Sequence, residues 1–237
     1  MKDKQQLRER IWSAIDAAPE VRRAPGAVGR IPNFVGAEDA ARTLWQTPEW
    51  QRARVLKMNP DSPQLALRAR AIEDGKLVYM AVPKLTTELP FVALRASSLA
   101  VPALEAASID GAARHGVAVS LEEMEPIDLI VCGSVALNAD GVRIGKGGGY
   151  ADIEYALLAE LGRVSDATSI ATTVHDLQLC DEPLPETAHD FRVDLIATPT
   201  RLLRCARRPR PRGVLWEDLD AEKIASIPAL RERATRH

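Results

Sequence analysis

Aromatic residues are scarce in this chain, 4% of 237, so Leu, Val, Ile and Ala must fill most of the core that its 46% hydrophobic content can build. Cysteine is scarce too. Cys132, Cys180 and Cys205 are odd in number, far apart and without metal-ligand spacing, which excludes a disulfide framework and favours reduced thiols in a cytoplasmic protein. No charge sign dominates: 31 Lys and Arg stand against 33 Asp and Glu, and the formal net charge of −2 argues against wholesale coating of nucleic acid. No apolar run is long enough to span a membrane, and the charged start has no signal-peptide core. Internal repeats and low-complexity tracts are absent as well. The length suits one sizeable α/β domain over residues 1–237 and leaves the oligomeric state open.

Glycine, by contrast, is concentrated. Gly145, Gly147, Gly148 and Gly149 surround Lys146, after the apolar run Ile127 to Cys132 and before Ile153, Ala156, Leu157 and Leu161, spaced as one helix face. The reading is strand, glycine-rich loop, helix. Lacking Cβ atoms, such a loop brings its N–H groups close to a ligand, and the helix start adds unpaired donors and a positive dipole end. That combination suits phosphate. Arg143 and Lys146 add charge, Tyr150 a ring, and Asp152 a hard oxygen suited to a magnesium ion between phosphates. A P-loop is excluded because Lys146 precedes the glycine run and no hydroxyl residue follows it. The dinucleotide pattern Gly-x-Gly-x-x-Gly fails at Tyr150. A plain turn remains open, although turns need only one or two glycines.

Gly141 to Asp152 resembles the loop of the 5-formyltetrahydrofolate cyclo-ligase family, Gly-x-Arg-Leu-Gly-x-Gly-Gly-Gly-Tyr-Tyr-Asp, with Ile144 for Leu and Ala151 for the second Tyr. Lys4-Gln-Gln-Leu-Arg8 is similar to the family's opening Lys-x-x-Leu-Arg, and His189-Asp190 precedes a strand-like Val193 to Pro199. Ile31-Pro-Asn-Phe34, Lys57 to Gln64, Thr173 to Gln178 and Thr198 to Arg201 resemble a divergent branch of methenyltetrahydrofolate-synthetase-domain proteins. The resemblance implies a three-layer α/β fold with a mainly parallel sheet, of the NagB/RpiA/CoA-transferase type. It implies binding of ATP by Lys4, Arg8 and residues 143–150, with Arg143 and Lys146 acting on the transferring phosphoryl group, and Mg2+ held by Asp152 and Asp190. The implied reaction phosphorylates the formyl oxygen of 5-formyltetrahydrofolate, closes the ring on the second nitrogen and releases phosphate to give 5,10-methenyltetrahydrofolate. Family members carry a pterin-binding Glu where this sequence has Asp61, Pro63 and Gln64, and usually read Pro-Gly-Val-Ala-Phe-Asp where Gly133 to Asn138 stands. The ATP half is kept and the folate half altered, so a nucleotide-binding homologue without turnover is the alternative.

Elsewhere, periodicity predicts helices over 2–18, 37–46, 65–73, 221–226 and beyond Pro228, and strands over 54–58, 76–82, 92–94, 117–119 and 168–174. Residues 54–82 read strand, helix, strand, a parallel crossover. Asp61 and Gln64 lie just past a strand end, where such sheets bind ligands. His175 and Gln178 follow another strand and are substrate candidates beside the plainer reading of a satisfied strand-end histidine. The arginines from Arg201 to Arg212, broken by Pro209 and Pro211, read as an extended arm packed along the domain. An RNA patch is the rival reading, disfavoured because no aromatic residues interleave.

Overall fold

The computed structural model describes residues 3–235, so the expected helix start at Lys2 lies outside the described residues. Helix α1 (Lys4–Asp16) buries Leu7, Ile11, Trp12 and Ile15, and an irregular stretch tied by one bridge between Arg22 and Phe34 leads to α2 (Ala37–Trp45). A short α3 (Pro48–Arg52), capped by the Thr47 hydroxyl, precedes β1 (Val55–Met58), α4 (Leu65–Glu73) and β2 (Leu77–Ala81). Then come β3 (Phe91–Leu94), α5 (Ala103–Ala106), α6 (Ile109–His115), β4 (Val117–Val119) and β5 (Leu129–Cys132). The second half contains β6 (Ala136–Asn138), β7 (Arg143–Ile144), α7 (Tyr150–Glu160), β8 (Ser169–Thr173) and β9 (Leu179–Cys180). It closes with β10 (Leu195–Ala197), β11 (Leu202–Arg204), α8 (Ala221–Ser226) and α9 (Pro228–Ala234).

Eight strands form one sheet in the order β11-β10-β8-β5-β1-β2-β3-β4, with β10, β8, β5, β1 and β2 mutually parallel and antiparallel strands at both edges. The parallel centre is buried on both faces, which is why β2 and β5 read as unbroken apolar runs and β1 is interrupted only by Lys57. Val55, Tyr79, Ile130 and Cys132 pack towards Leu157 and Leu158 of α7 and Leu230 of α9. Their neighbours Leu56, Met58, Val78 and Val131 pack towards Leu44 of α2 and Leu67 and Ile72 of α4. Side chains alternate across a strand, so the two clusters are the two faces of one sheet in a three-layer α/β domain.

A second sheet, β7-β6-β9, packs against α1 through Leu7, Ile11, Ala136, Ile144 and Cys180. It alters one expectation: the strand leading into the glycine loop is β7, not the run ending at Cys132. Its strands are two or three residues long, too short for periodicity to mark. The arginine arm is packed, as its first reading had it. After β11, Arg207 donates to the Asp166 carbonyl at 2.6 Å, and Arg210 donates to the Thr168 carbonyl at 2.7 Å and to Asp194 at 2.5 Å.

Candidate functional site

Two antiparallel residues of β7 feed the loop, and Gly149, at φ 69° in the left-handed region, caps α7. Gly147 lies at φ 110°, another backbone shape that an L side chain resists. Lys146, Gly147 and Gly149 are exposed, and a Cβ at Gly149 would meet nothing within 4 Å. Below the loop lies a cavity of about 380 Å³, bounded by Gly145, Lys146, Gly148, Tyr150 and Asp152 on one side and by Asn59, Asp61 and Glu154 on the other. A broader hollow of about 680 Å³ lies where β1 and β2 begin, around Arg54 and Lys76. Open α/β sheets take ligands at strand carboxyl ends, which selects the smaller cavity below Asn59.

Charge in this region is already arranged in pairs. Arg143 points inward from β7, is 5% exposed, and donates from Nη2 to both oxygens of Asp152 at 2.8 and 3.0 Å. It also donates to the Gly133 carbonyl at 3.2 Å and lies 4.5 Å from the Phe191 ring centroid. Burial disfavours its charge, but Asp152 outweighs that and holds its pKa above the ordinary arginine value. Arg143 lines the cavity with Nη2 on Asp152 and Nη1 on the Gly133 carbonyl, and its buried Nε has no partner. Lys146 is half exposed and reaches Asp61 across the cavity at 3.2 Å. Arg8 donates from Nε to the Gly145 carbonyl at 2.7 Å, bracing the loop from α1. Lys4 pairs with Asp190, which also accepts from the Thr187 N–H at 2.6 Å and hydroxyl at 2.9 Å. Burial works against ionisation of Asp190, yet these donors together hold it below the usual carboxylate range.

A family model described as the 5-formyltetrahydrofolate cyclo-ligase family matches residues 1–199 of this loop-bearing chain. The chain belongs to the 5-formyltetrahydrofolate cyclo-ligase family. It is 39% identical over 241 residues to the methenyltetrahydrofolate synthase domain-containing protein of Mus musculus, covering 98% of this chain and 63% of the relative. The Bos taurus protein of the same description is 37% identical, covering 96% and 61%. The chain thus spans less than two thirds of these relatives' length. Among solved structures, Aquifex aeolicus 5,10-methenyltetrahydrofolate synthetase overlays with a TM-score of 0.55 at 21% identity, covering 87% of this chain and 94% of that one. At that identity the likeness is one of fold.

Within this cyclo-ligase framework the sequence-predicted residues separate into groups. Gly145, Lys146, Gly148, Gly149, Tyr150, Asp152 and Asp61 line the cavity with Arg143, whereas Lys4, Arg8, Gly147 and Asp190 flank the loop outside it. Gln64 and Gln178 do not reach it and are fully buried. Gln64 Nε2 donates to the Thr173 hydroxyl at 3.0 Å, and Gln178 Nε2 donates to the Ser134 carbonyl at 2.8 Å. Their expected substrate contacts are corrected to backbone bracing, because a buried amide spends its donors where it is. His175 is likewise a capping residue: Nδ1 accepts from the Leu177 N–H at 3.2 Å, and the ring meets Phe34 edge-on at 5.7 Å.

Asp152 and Asp190 are joined through Phe191, whose N–H donates to Asp152 Oδ1 at 3.4 Å. Among the described residues, no three His, Cys, Asp or Glu side chains gather into a metal cage. Asp152 and Asp190 are nevertheless hard oxygen donors of the kind magnesium takes, one or two from the protein with phosphates and water completing its shell. No helix among the described residues is long and apolar enough to cross a membrane.

Sequence reasoning missed three contributors. Arg68, buried on α4, donates to the carbonyls of Asn59 at 2.7 Å, Pro60 at 3.3 Å and Asp61 at 2.8 Å, fixing the loop opposite the glycines. Desolvation lowers its pKa to about 10 against the pull of Asp61. Lys223 of α8 donates to the Gly148 carbonyl at 3.1 Å and sits 4.2 Å from the Tyr150 ring centroid, so the carboxyl-terminal cap closes onto the loop. Lys57 of β1 pairs with Glu154 of α7, both under 5% exposed, at the cavity floor. A lysine inside Val-Leu-Lys-Met and a glutamate inside Ile-Glu-Tyr-Ala-Leu-Leu were the available signals, since charge in a buried run needs a partner.

Proposed function

We propose that this chain carries out an ATP- and magnesium-dependent cyclisation of 5-formyltetrahydrofolate to 5,10-methenyltetrahydrofolate, or the corresponding reaction on a closely related formylated substrate. The observation that carries the reading is a glycine-rich loop, exposed at Lys146, Gly147 and Gly149, beside a cavity that Lys146, Gly148, Gly149 and Asp152 line. Phosphoryl transfer demands positioning and charge neutralisation more than covalent help from the protein. The loop amides and Lys146 would hold the triphosphate, Arg8 and Lys223 would keep the loop in shape, and Arg143 would fix the Asp152 carboxylate. Asp152 and Asp190 would hold the magnesium ion, which when bound neutralises phosphate charge. The formyl oxygen would take the γ-phosphoryl group as ADP leaves, the second nitrogen would attack the activated carbon and give up its proton, and phosphate would depart as the ring closes.

A nucleotide-binding homologue without turnover is the second reading, favoured by Ala151 on the cavity wall where relatives resembling this loop carry an aromatic ring. One assay separates them. ADP release coupled to absorbance of the methenyl product should rise with 5-formyltetrahydrofolate in the wild type and not in Lys146→Ala. Equal signals from both proteins, with ATP still bound, would leave the binding reading standing.

A further inference from the structure

The floor of the cavity is built at a cost that packing does not explain. Lys57 sits in the middle of the parallel sheet with its ammonium on Glu154 Oε2 and 3.2 Å from Asn59 Oδ1. Asn59 Nδ2 in turn donates to the same Glu154 oxygen at 3.3 Å. Removing two opposite charges from water is expensive, and an apolar pair of similar volume is often at least as stable, so stability alone gives no reason for this pair. Its location gives one. Asn59 immediately follows β1, Glu154 lies one turn inside α7, and both line the cavity opposite Lys146. Both Lys57 and Asn59 act on Oε2, and among the described residues no hydrogen bond reaches Glu154 Oε1. The network therefore fixes one oxygen and leaves the other as an acceptor on the cavity wall. Asp61 adds a second carboxylate on the same side once a phosphate competes for Lys146.

We propose that Lys57, Asn59 and Glu154 form the acceptor-recognition floor of this site, with Glu154 Oε1 taking a hydrogen bond from an N–H of the molecule that receives the phosphoryl group. This rests on the nucleotide-loop reading above. The site then selects acceptors with an N–H donor at the end facing away from the phosphates, because an acceptor lacking it strands a buried carboxylate oxygen. Lys57 is a positioning residue, holding Glu154 in one rotamer through Oε2.

The test is titration calorimetry with ATP and, separately, with 5-formyltetrahydrofolate as the N–H-bearing probe. Lys57→Met/Glu154→Met removes both charges and keeps the volume, so its melting temperature should match or exceed that of the wild type. Its ATP dissociation constant should stay within about twofold, while that for 5-formyltetrahydrofolate rises at least about tenfold, the usual loss for a hydrogen bond to a charged group. Glu154→Gln, with Lys57 left unpaired, should melt earlier; the double variant keeps the experiment decisive if the single one does not fold. A folded double variant that binds the folate as tightly as wild type overturns the proposal and leaves the nucleotide loop untouched. Wild-type protein that binds ATP but not the folate also overturns it. Failure of wild type to bind ATP refutes the underlying loop reading instead.

Discussion

The two walls of the cavity are built on opposite principles. The glycine wall is exposed backbone from one short stretch, braced from outside by Arg8 and Lys223. The β1 wall is buried charge assembled over long sequence distances, with Arg68 clamping the Asn59 to Asp61 carbonyls and Lys57 meeting Glu154 97 residues away. An exposed loop can grip varied phosphates because its donors are main-chain groups and cost little to present. A buried ionic floor is rigid and selective, because any ligand must satisfy what was desolvated. On the function proposed above, the difference implies a division of labour, with phosphate chemistry on the loop and the choice of substrate on the floor.

The sharpest way to break that comparison is to strip the loop of its cation. Lys146→Ala should cut ATP turnover about 100-fold or more by removing charge from the transferring group, while the melting temperature stays near wild type because the side chain is half exposed. Steady-state ADP release and a thermal melt read the two quantities. A large loss of stability in this variant would mean that the loop is as structural as the floor.

Arg68→Met should do the reverse. It leaves three carbonyls of the β1 wall without their donor and should cost about 2–4 kcal/mol of stability, read as a lower urea midpoint. Nucleotide affinity should change less than folate affinity, because the disordered wall is the one facing Lys146 and not the loop itself. Equal losses for both ligands would erase the distinction between the walls.

These expectations also mark what sequence could and could not reveal. The crossover Val55 to Ala81 was legible because its strands are buried on both faces and α4 ends at Asp74-Gly75, a local signal. The glycine wall was legible for the same reason: every group that matters sits within a few residues of the next. The pairing of Arg143 with Asp152 was not legible, because it depends on the short strand β7 turning Arg143 inward. Gln64 and Gln178 were misjudged because polar residues after strand ends look available, and only the fold shows them spent on backbone. The floor pair depends on register between β1 and α7, which no periodicity encodes.

A gentler probe concerns Asp190 on the α1 side of the loop. Its pKa is held below the ordinary carboxylate value, so its contribution to stability is present above that value and is lost as pH falls through the depressed one. Lys4→Met removes one of the donors responsible, so the variant should lose stability at a higher pH than wild type on acid titration. Tryptophan fluorescence reports this directly, because Trp12 packs on α1. Superimposable acid transitions would show that the Thr187 donors hold the carboxylate alone and that Lys4 is free to serve the ligand.

The smallest expected effect separates His175 from the cavity altogether. Burial depresses its pKa below the ordinary 6.5, against the pull of Asp176, so the folded protein prefers the neutral ring. The unfolded chain takes up the proton first, so the stability gained from a neutral His175 is complete above about 6.5 and declines as pH falls below it. The geometry agrees in sign, since protonation would turn Nδ1 from an acceptor of the Leu177 N–H into a donor facing it. His175→Asn keeps an acceptor at the cap and removes the titration. Between pH 7 and pH 5 the urea midpoint of the wild type should fall further than that of the variant, while turnover at pH 7.5 should be the same in both. If turnover at pH 7.5 drops in His175→Asn with stability unchanged, the histidine belongs with the chemistry, and the site extends beyond the two walls.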